Sequence, residues 1–277
     1  MFRKSFCAAV FATAAFVIGV LGGPAPGIAS AAPGAPAATV SAQVAAVSPD
    51  SLTVLWRLDL APGWHVYGPF RNDSGYAPSF ALELPEGWSA GSPRWPVPER
   101  HVAAGEILDH VYHGVLQVPQ VLHRPAGATA PRLEARVAWL ECNEICIPRD
   151  TTLTVDLAAE VEPATARQLA TVLAALPGPL PADAVRVTRT PEFVEIVAPG
   201  ATAITAIPGE SGPFLADLIA DGKVAGERLR LGLRPGSRPR DDGSLNLLLV
   251  IEHGPAQRTA GSITVPPAQS ATQEASP

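Results

Sequence analysis

Residues 136–157 read RVAWLECNEICIPRDTTLTVDL, and the folding of this stretch decides how the rest of the chain is read. Val137, Trp139 and Glu141 alternate with Arg136, Ala138, Leu140 and Cys142, and TTLTVDL resumes a strand after Pro148. Alternation of period two marks a half-buried strand. Two strands this close must be joined by a reversal, with Asn143, Glu144 and Ile145 as a three-residue loop. Cys142 and Cys146 then face each other across a hairpin. Facing residues of a non-hydrogen-bonded pair lie roughly 4.5 Å apart at Cα, inside the window that a disulfide requires.

Strand signals extend outward in both directions from this hairpin. ATVSAQVAAVSP, SLTVLWRLDLAPGW, SFALELPEGW, HGVLQVPQVL and RLEARVAWLEC each alternate and end near Pro or Gly. Short strands at such spacing predict an antiparallel sandwich over residues 39–161. EPATARQLATVLAALPG is the one helical pattern: Pro163 suits an early position, Leu169, Val172, Leu173 and Leu176 form a stripe, and Pro177-Gly178 stops it. Residues 162–184 are thus a helix and a linker. From Val185 the alternation returns, predicting a second, smaller β domain over 185–267, with a small polar tail at 268–277 expected to be disordered. The fold class is all-β: a sandwich, a helix, then a second β domain.

Composition agrees. The 277 residues include 30 Pro and 24 Gly but only 17% charged residues, which suits many short strands and tight turns. A net charge of −6 offers no cationic surface for nucleic acid. At the N-terminus Arg3 and Lys4 precede an apolar run and then GIASAAPGAP. That order predicts a secretory signal over residues 1–31, cleaved near Ala31, which would remove Cys7 and leave 32–38 as a flexible leader. The mature protein is therefore expected outside the cytoplasm, as a periplasmic protein, where a pair of thiols is normally oxidised.

The pair admits three chemistries. A loop this short removes little chain entropy, about 2 kcal/mol or less, so Cys142–Cys146 would be a weak staple. An exposed hairpin disulfide is instead easily reduced, which favours thiol exchange. His65, His110 and His113 would have to join the thiols for copper or zinc, yet Cys-x3-Cys lacks the usual zinc spacing. No metal or other cofactor is expected; a partner-binding β-sandwich with a structural disulfide, and a copper-binding or copper-tolerance protein, stand as alternatives to exchange.

GWHVYGPFRNDSGYAPSFALELPEGW, PRWPVPER and WLECNEICIP together resemble the N-terminal periplasmic domain of the thiol-disulfide reductase DsbD and its suppressor-of-copper-sensitivity relatives. The resemblance covers roughly residues 40–160. It implies an immunoglobulin-like sandwich that receives electrons from a membrane donor and passes them to thioredoxin-like or other disulfide-carrying periplasmic proteins. It also implies that Cys146 forms the mixed disulfide and Cys142 resolves it, that Tyr112 in DHVYHG caps the sulfurs, and that His65 and Tyr67 line the site. The membrane and thioredoxin domains of the full-length reductase are missing from this sequence, so the donor is expected to be a separate membrane protein.

Overall fold

The computed structural model describes residues 34–129, 131–181, 183–209, 217–233 and 243–268; the expected signal segment and the polar tail past Ala268 lie outside them. The first part of the chain is built from β1 (Ala38–Val47), β2 (Ser51–Leu60), β3 (His65–Tyr67), β4 (Ser79–Leu82), β5 (Ser89–Ala90), β6 (Glu99–Ala103), β7 (Ile107–His113), β8 (Val115–His123), β9 (Arg132–Cys142) and β10 (Cys146–Asp156). One sheet runs β1-β2-β8-β5 and the other β10-β9-β3-β7-β6, with β4 pairing β9, all antiparallel. This is the expected immunoglobulin-like sandwich. The alternation read from the sequence sets its interior: Val54, Trp56 and Leu58 of β2 and Leu116 and Val118 of β8 meet Leu133, Ala135, Val137 and Trp139 of β9. Each large apolar side chain buried this way stabilises by roughly 1.5–3 kcal/mol. The one polar atom of Trp56, Nε1, donates to Gln120 Oε1 at 2.9 Å, and Gln120 Nε2 donates to Gly91 O. Burial therefore leaves the indole N–H satisfied.

The chain continues through α1 (Pro163–Ala175), β11 (Gly178–Pro179), β12 (Arg186–Arg189), β13 (Phe193–Val197), β14 (Ala203–Pro208), α2 (Leu218–Asp221), β15 (Lys223–Ala225), β16 (Arg228–Gly232), β17 (Leu245–Glu252) and β18 (Arg258–Val265). Pro163 opens α1 as the sequence predicts, but the buried face is narrower than the stripe: Thr165 and Leu169 are buried while Leu173 is exposed. Leu169 packs with Ala45 of β1 and Leu55 of β2 on the outside of the sandwich, so the sheet accepts only one side of the helix.

Two sheets, β11-β18-β17-β14-β15 and β12-β13-β16, form the second β part, with its own core of Ile196, Ile204, Leu229, Leu231, Leu247, Leu249 and Ile251. The predicted linker is not free chain. Gly178-Pro179 runs parallel to Gly261-Ser262 of β18, and Leu180 packs on the second core. The described residues from Pro36 onward form one compact unit in spite of its two cores. Leu108 of β7 joins the second core, and Phe70 and Val97 pack on Ile207, Leu248 and Val250, which lie outside that core.

Candidate functional site

β9 and β10 pair in register over their whole length, ending with Cys142 opposite Cys146. Their Cα atoms are 4.2 Å apart and their sulfurs are bonded. The two sides of the bond meet different surroundings. Cys142 is 1% exposed. Cys146 is exposed and follows Ile145, itself 65% exposed at the hairpin tip.

Burial of Cys142 comes from β3, which lies between β9 and β7. His65 pairs with Cys142 on one side and His113 on the other, and Tyr67 pairs with Val111. Residues two apart in a strand share a face, so Tyr67, Val111, Leu140 and Cys142 form a small apolar cluster on the outer side of the sheet. The Tyr67 hydroxyl donates to Cys142 Sγ at 3.1 Å and lies 3.4 Å from Cys146 Sγ. It also sits 3.1 Å from Ser74 Oγ. Ser74 Oγ in turn donates to Asp109 Oδ2 at 2.6 Å. Because the serine proton is committed to the carboxylate, the single phenolic proton is shared between Ser74 Oγ and the sulfur. Asp109 is 2% exposed and also accepts from the Asp73 and Ser74 amides. A continuous path of hydrogen bonds thus joins a buried carboxylate to the disulfide. Burial raises the Tyr67 phenol further from ionisation, so it remains a proton donor.

The cover over Tyr67 is the segment after β3. A Cβ on Gly75 would stand 2.3 Å from the Tyr67 ring. Glycine at 75 is what lets the backbone lie flat on the phenol and close it from water.

Three imidazoles gather at the other end of β3. The His65 ring is 5.5 Å from His113, 5.6 Å from His101 and 5.4 Å from Tyr67. Burial, reinforced by His113 and His101 and opposed by Asp109, lowers the His65 pKa to about 4 from 6.5. The unfolded chain therefore binds the proton first as pH falls, and stability contributed by neutral His65 is lost from about pH 6.5 down through about pH 4. We expect His65→Asn to flatten the dependence of the denaturant midpoint on pH across that window. An unchanged slope would show that His65 is not its source.

On the opposite face of β9, Glu141 is fully buried and accepts from Ala37 N at 3.0 Å, Ala38 N at 3.1 Å, Trp139 Nε1 at 3.1 Å and Arg149 Nε at 2.8 Å. Burial alone would raise its pKa, but these donors together hold it below the ordinary glutamate value. The carboxylate pins the start of β1, including part of the predicted leader, to the cysteine hairpin.

Cys142, Cys146, His65 and Tyr67 therefore come together. Tyr112 does not join them: its ring lies in the sandwich core, stacked near Trp95, and its hydroxyl donates to Pro96 O at 2.7 Å. The cause is strand parity, since Val111 takes the sulfur face and Tyr112 the opposite one. The group that lies against the sulfurs is Tyr67, which is itself backed by Ser74 and Gly75. His110 is also drawn away, with Nδ1 2.6 Å from Arg71 O and its ring against Phe70. Among the described residues no group of three or more His, Cys, Asp or Glu is arranged to hold a metal ion. Sequence reasoning missed Asp109, Ser74 and His101. The signal for Asp109 was available, because it stands two residues before Val111 on the same strand face; nothing local marks Ser74.

A family model described as thiol:disulfide interchange protein DsbD, N-terminal, matches residues 33–158. No curated protein matches the sequence. Among solved structures, the N-terminal periplasmic domain of ScsB from Proteus mirabilis is similar with a TM-score of 0.56 at 17% identity, over 83% of this chain and 92% of that one. That likeness shows a shared fold reaching past the family match into the second β part. The reduced N-terminal domain of DsbD from Neisseria meningitidis is 20% identical over 43% of this chain and 85% of its own, with a TM-score of 0.32. The complex between the DsbD and PilB N-terminal domains from the same organism gives 19% identity over 45% and 87%, with a TM-score of 0.31. With its hairpin disulfide on an immunoglobulin-like sandwich, the chain is similar over residues 33–158, a little under half of its length, to the DsbD N-terminal family of thiol:disulfide interchange domains.

Proposed function

We propose that this protein is a periplasmic exchange module whose Cys142–Cys146 pair takes electrons from a membrane-bound donor and delivers them to thioredoxin-like or other disulfide-carrying proteins. The observation that carries the reading is the inequality of the two sulfurs, one exposed beside Ile145 and one buried under Tyr67. A staple has no use for such asymmetry, whereas exchange needs one sulfur open to a partner and a second held ready to resolve the intermediate. The signal-like N-terminus supports export.

In the reduced form the Cys146 thiolate attacks a partner disulfide. A Cys146–partner bond forms, and the partner's other sulfur departs as a thiolate. Cys142 then gives up its proton and attacks Cys146 Sγ, restoring the internal disulfide and releasing the partner as a dithiol. Two electrons pass to the partner; the proton from Cys142 ends on one of its thiols, and the other thiol takes back from solvent the proton that Cys146 gave up on ionising. Tyr67 assists the second step by turning its proton toward Cys142 as negative charge gathers there, since a hydrogen bond to the charged form favours it. His65, neutral beside Cys142 in the sheet, keeps that side of the site free of cationic charge.

The reduction potential of the pair, measured on the purified protein in glutathione buffers, tests this directly. We expect a value above roughly −300 mV, the level below which stable structural disulfides lie. A value below it would return the pair to a structural role.

A further inference from the structure

The second β part contains no cysteine, yet it grips the segment that lies over Tyr67. Arg71 N donates to Pro208 O at 3.0 Å, and Phe70 forms a β-bridge with Gly209, so Phe70-Arg71 continues the edge of β14. The Phe70 side chain packs with Ile207, Leu248 and Val250. Arg100 of β6 donates Nη2 to Leu218 O at 3.1 Å and Ile219 O at 2.9 Å, fixing β6 to the same part. On the site side Gly68 N donates to His110 O, Asn72 Nδ2 donates to Gly68 O and Phe70 O, and Asp73 N donates to Leu108 O. Ser74 and Gly75 follow at once, bonded to Asp109 and lying on Tyr67. Only Asn72 and Asp73 separate the grip from the cover, and both are themselves hydrogen-bonded. A short, fully bonded segment transmits position well, because it has few alternative conformations to absorb a displacement.

We propose that the second β part is a brace for the redox site: by holding Phe70 and Arg71 against β14 and β17 it keeps the Phe70–Gly75 loop closed over Tyr67, so that incoming reagents meet Cys146 and not Cys142. Phe70 and Arg100 are thus positioning residues. The inference rests on the exchange reading for its purpose, but its physical content is the shielding of one sulfur, which is measured without any partner.

The test uses the full chain carrying Cys146→Ser, so that Cys142 is a free thiol under the cover, with iodoacetamide as probe and mass-spectrometric mapping of the Cys142 peptide. Adding Phe70→Ala or Arg100→Ala should raise the labelling rate of Cys142 by about tenfold, as expected when a local opening becomes easier than global unfolding. Amide exchange at Ser74 and Gly75 should quicken with it. Leu169→Ala, which loosens the contact of α1 with the outside of the sandwich, serves as the control for general softening. It should lower the thermal midpoint while leaving Cys142 labelling within about twofold of its parent. The proposal is overturned if Phe70→Ala and Arg100→Ala leave labelling and amide exchange unchanged, or if Leu169→Ala raises labelling as much as they do. Either result would leave partner trapping by the cysteine variants untouched, so the brace and the exchange function fail separately.

Discussion

Cys142→Ser is expected to accumulate a mixed disulfide with oxidised partner proteins through Cys146, whereas Cys146→Ser accumulates none. The prediction follows from access. A partner disulfide must approach its attacking sulfur in line, and Cys146 is exposed while Cys142 is 1% exposed beneath the Tyr67 hydroxyl. Resolution depends on the opposite sulfur. In the native protein Cys142 sits across the hairpin at a Cα separation of 4.2 Å, so its attack on Cys146 is intramolecular and needs no diffusion. Well-oriented groups of this kind act with effective molarities on the order of 10⁵ M or more, so losing Cys142 should lengthen the life of the intermediate by several orders of magnitude. Non-reducing electrophoresis after incubation with an oxidised thioredoxin-fold substrate reads the result. Equal trapping by the two variants would mean that both sulfurs are open to attack, and the asymmetry of the site would have no chemical consequence.

The second large effect is on stability. Glu141→Ala should cost about 3–5 kcal/mol, the usual consequence of removing one partner from a buried charge pair. Glu141 is fully buried and is the shared acceptor for four donors, so its loss takes a partner from the Ala37 and Ala38 amides, Trp139 Nε1 and Arg149 Nε together. Each buried donor left without its acceptor adds a desolvation penalty. Because the Arg149 side chain is itself only 13% exposed, the double variant Glu141→Ala with Arg149→Leu should recover part of the loss, which urea unfolding of all four members of the cycle would measure. Single and double variants of equal stability to the parent would show that the carboxylate is not what ties the start of β1 to the cysteine hairpin. Position makes this more than a packing matter: Glu141 is the residue before Cys142, and its anchor holds the strand from which the buried sulfur projects.

Much of the site was legible because it is local. The alternation of RVAWLEC and the three-residue loop place Cys142 opposite Cys146 with no information from elsewhere in the chain. His65 and Tyr67 were found from the motif that surrounds them, and strand parity puts both on one face. The same parity, applied to DHVYHG, would have turned Tyr112 inward and Asp109 and Val111 outward. What was needed was the register of β7 against β3, which fixes which parity faces the sulfurs. Ser74 and Gly75 could not be read at all: they lie in an irregular segment whose path is set by hydrogen bonds to Leu108, Asp109 and His110 on a strand more than thirty residues away.

The linker shows the same division. PGPLPADA has the composition of free chain, and as a segment it has no reason to be anything else. It becomes an edge strand because β18 offers an unpaired row of backbone groups beside Gly261, where the lack of a side chain lets Gly178 O come close. By itself the sequence determined the longer alternating strands, the hairpin, the helix start and the facing cysteines, since each depends on residues within a few positions of one another. Only the tertiary structure decided which sulfur is covered, what covers it and what braces the cover, because those depend on contacts between segments that share no local pattern and meet only when separate apolar faces are buried together.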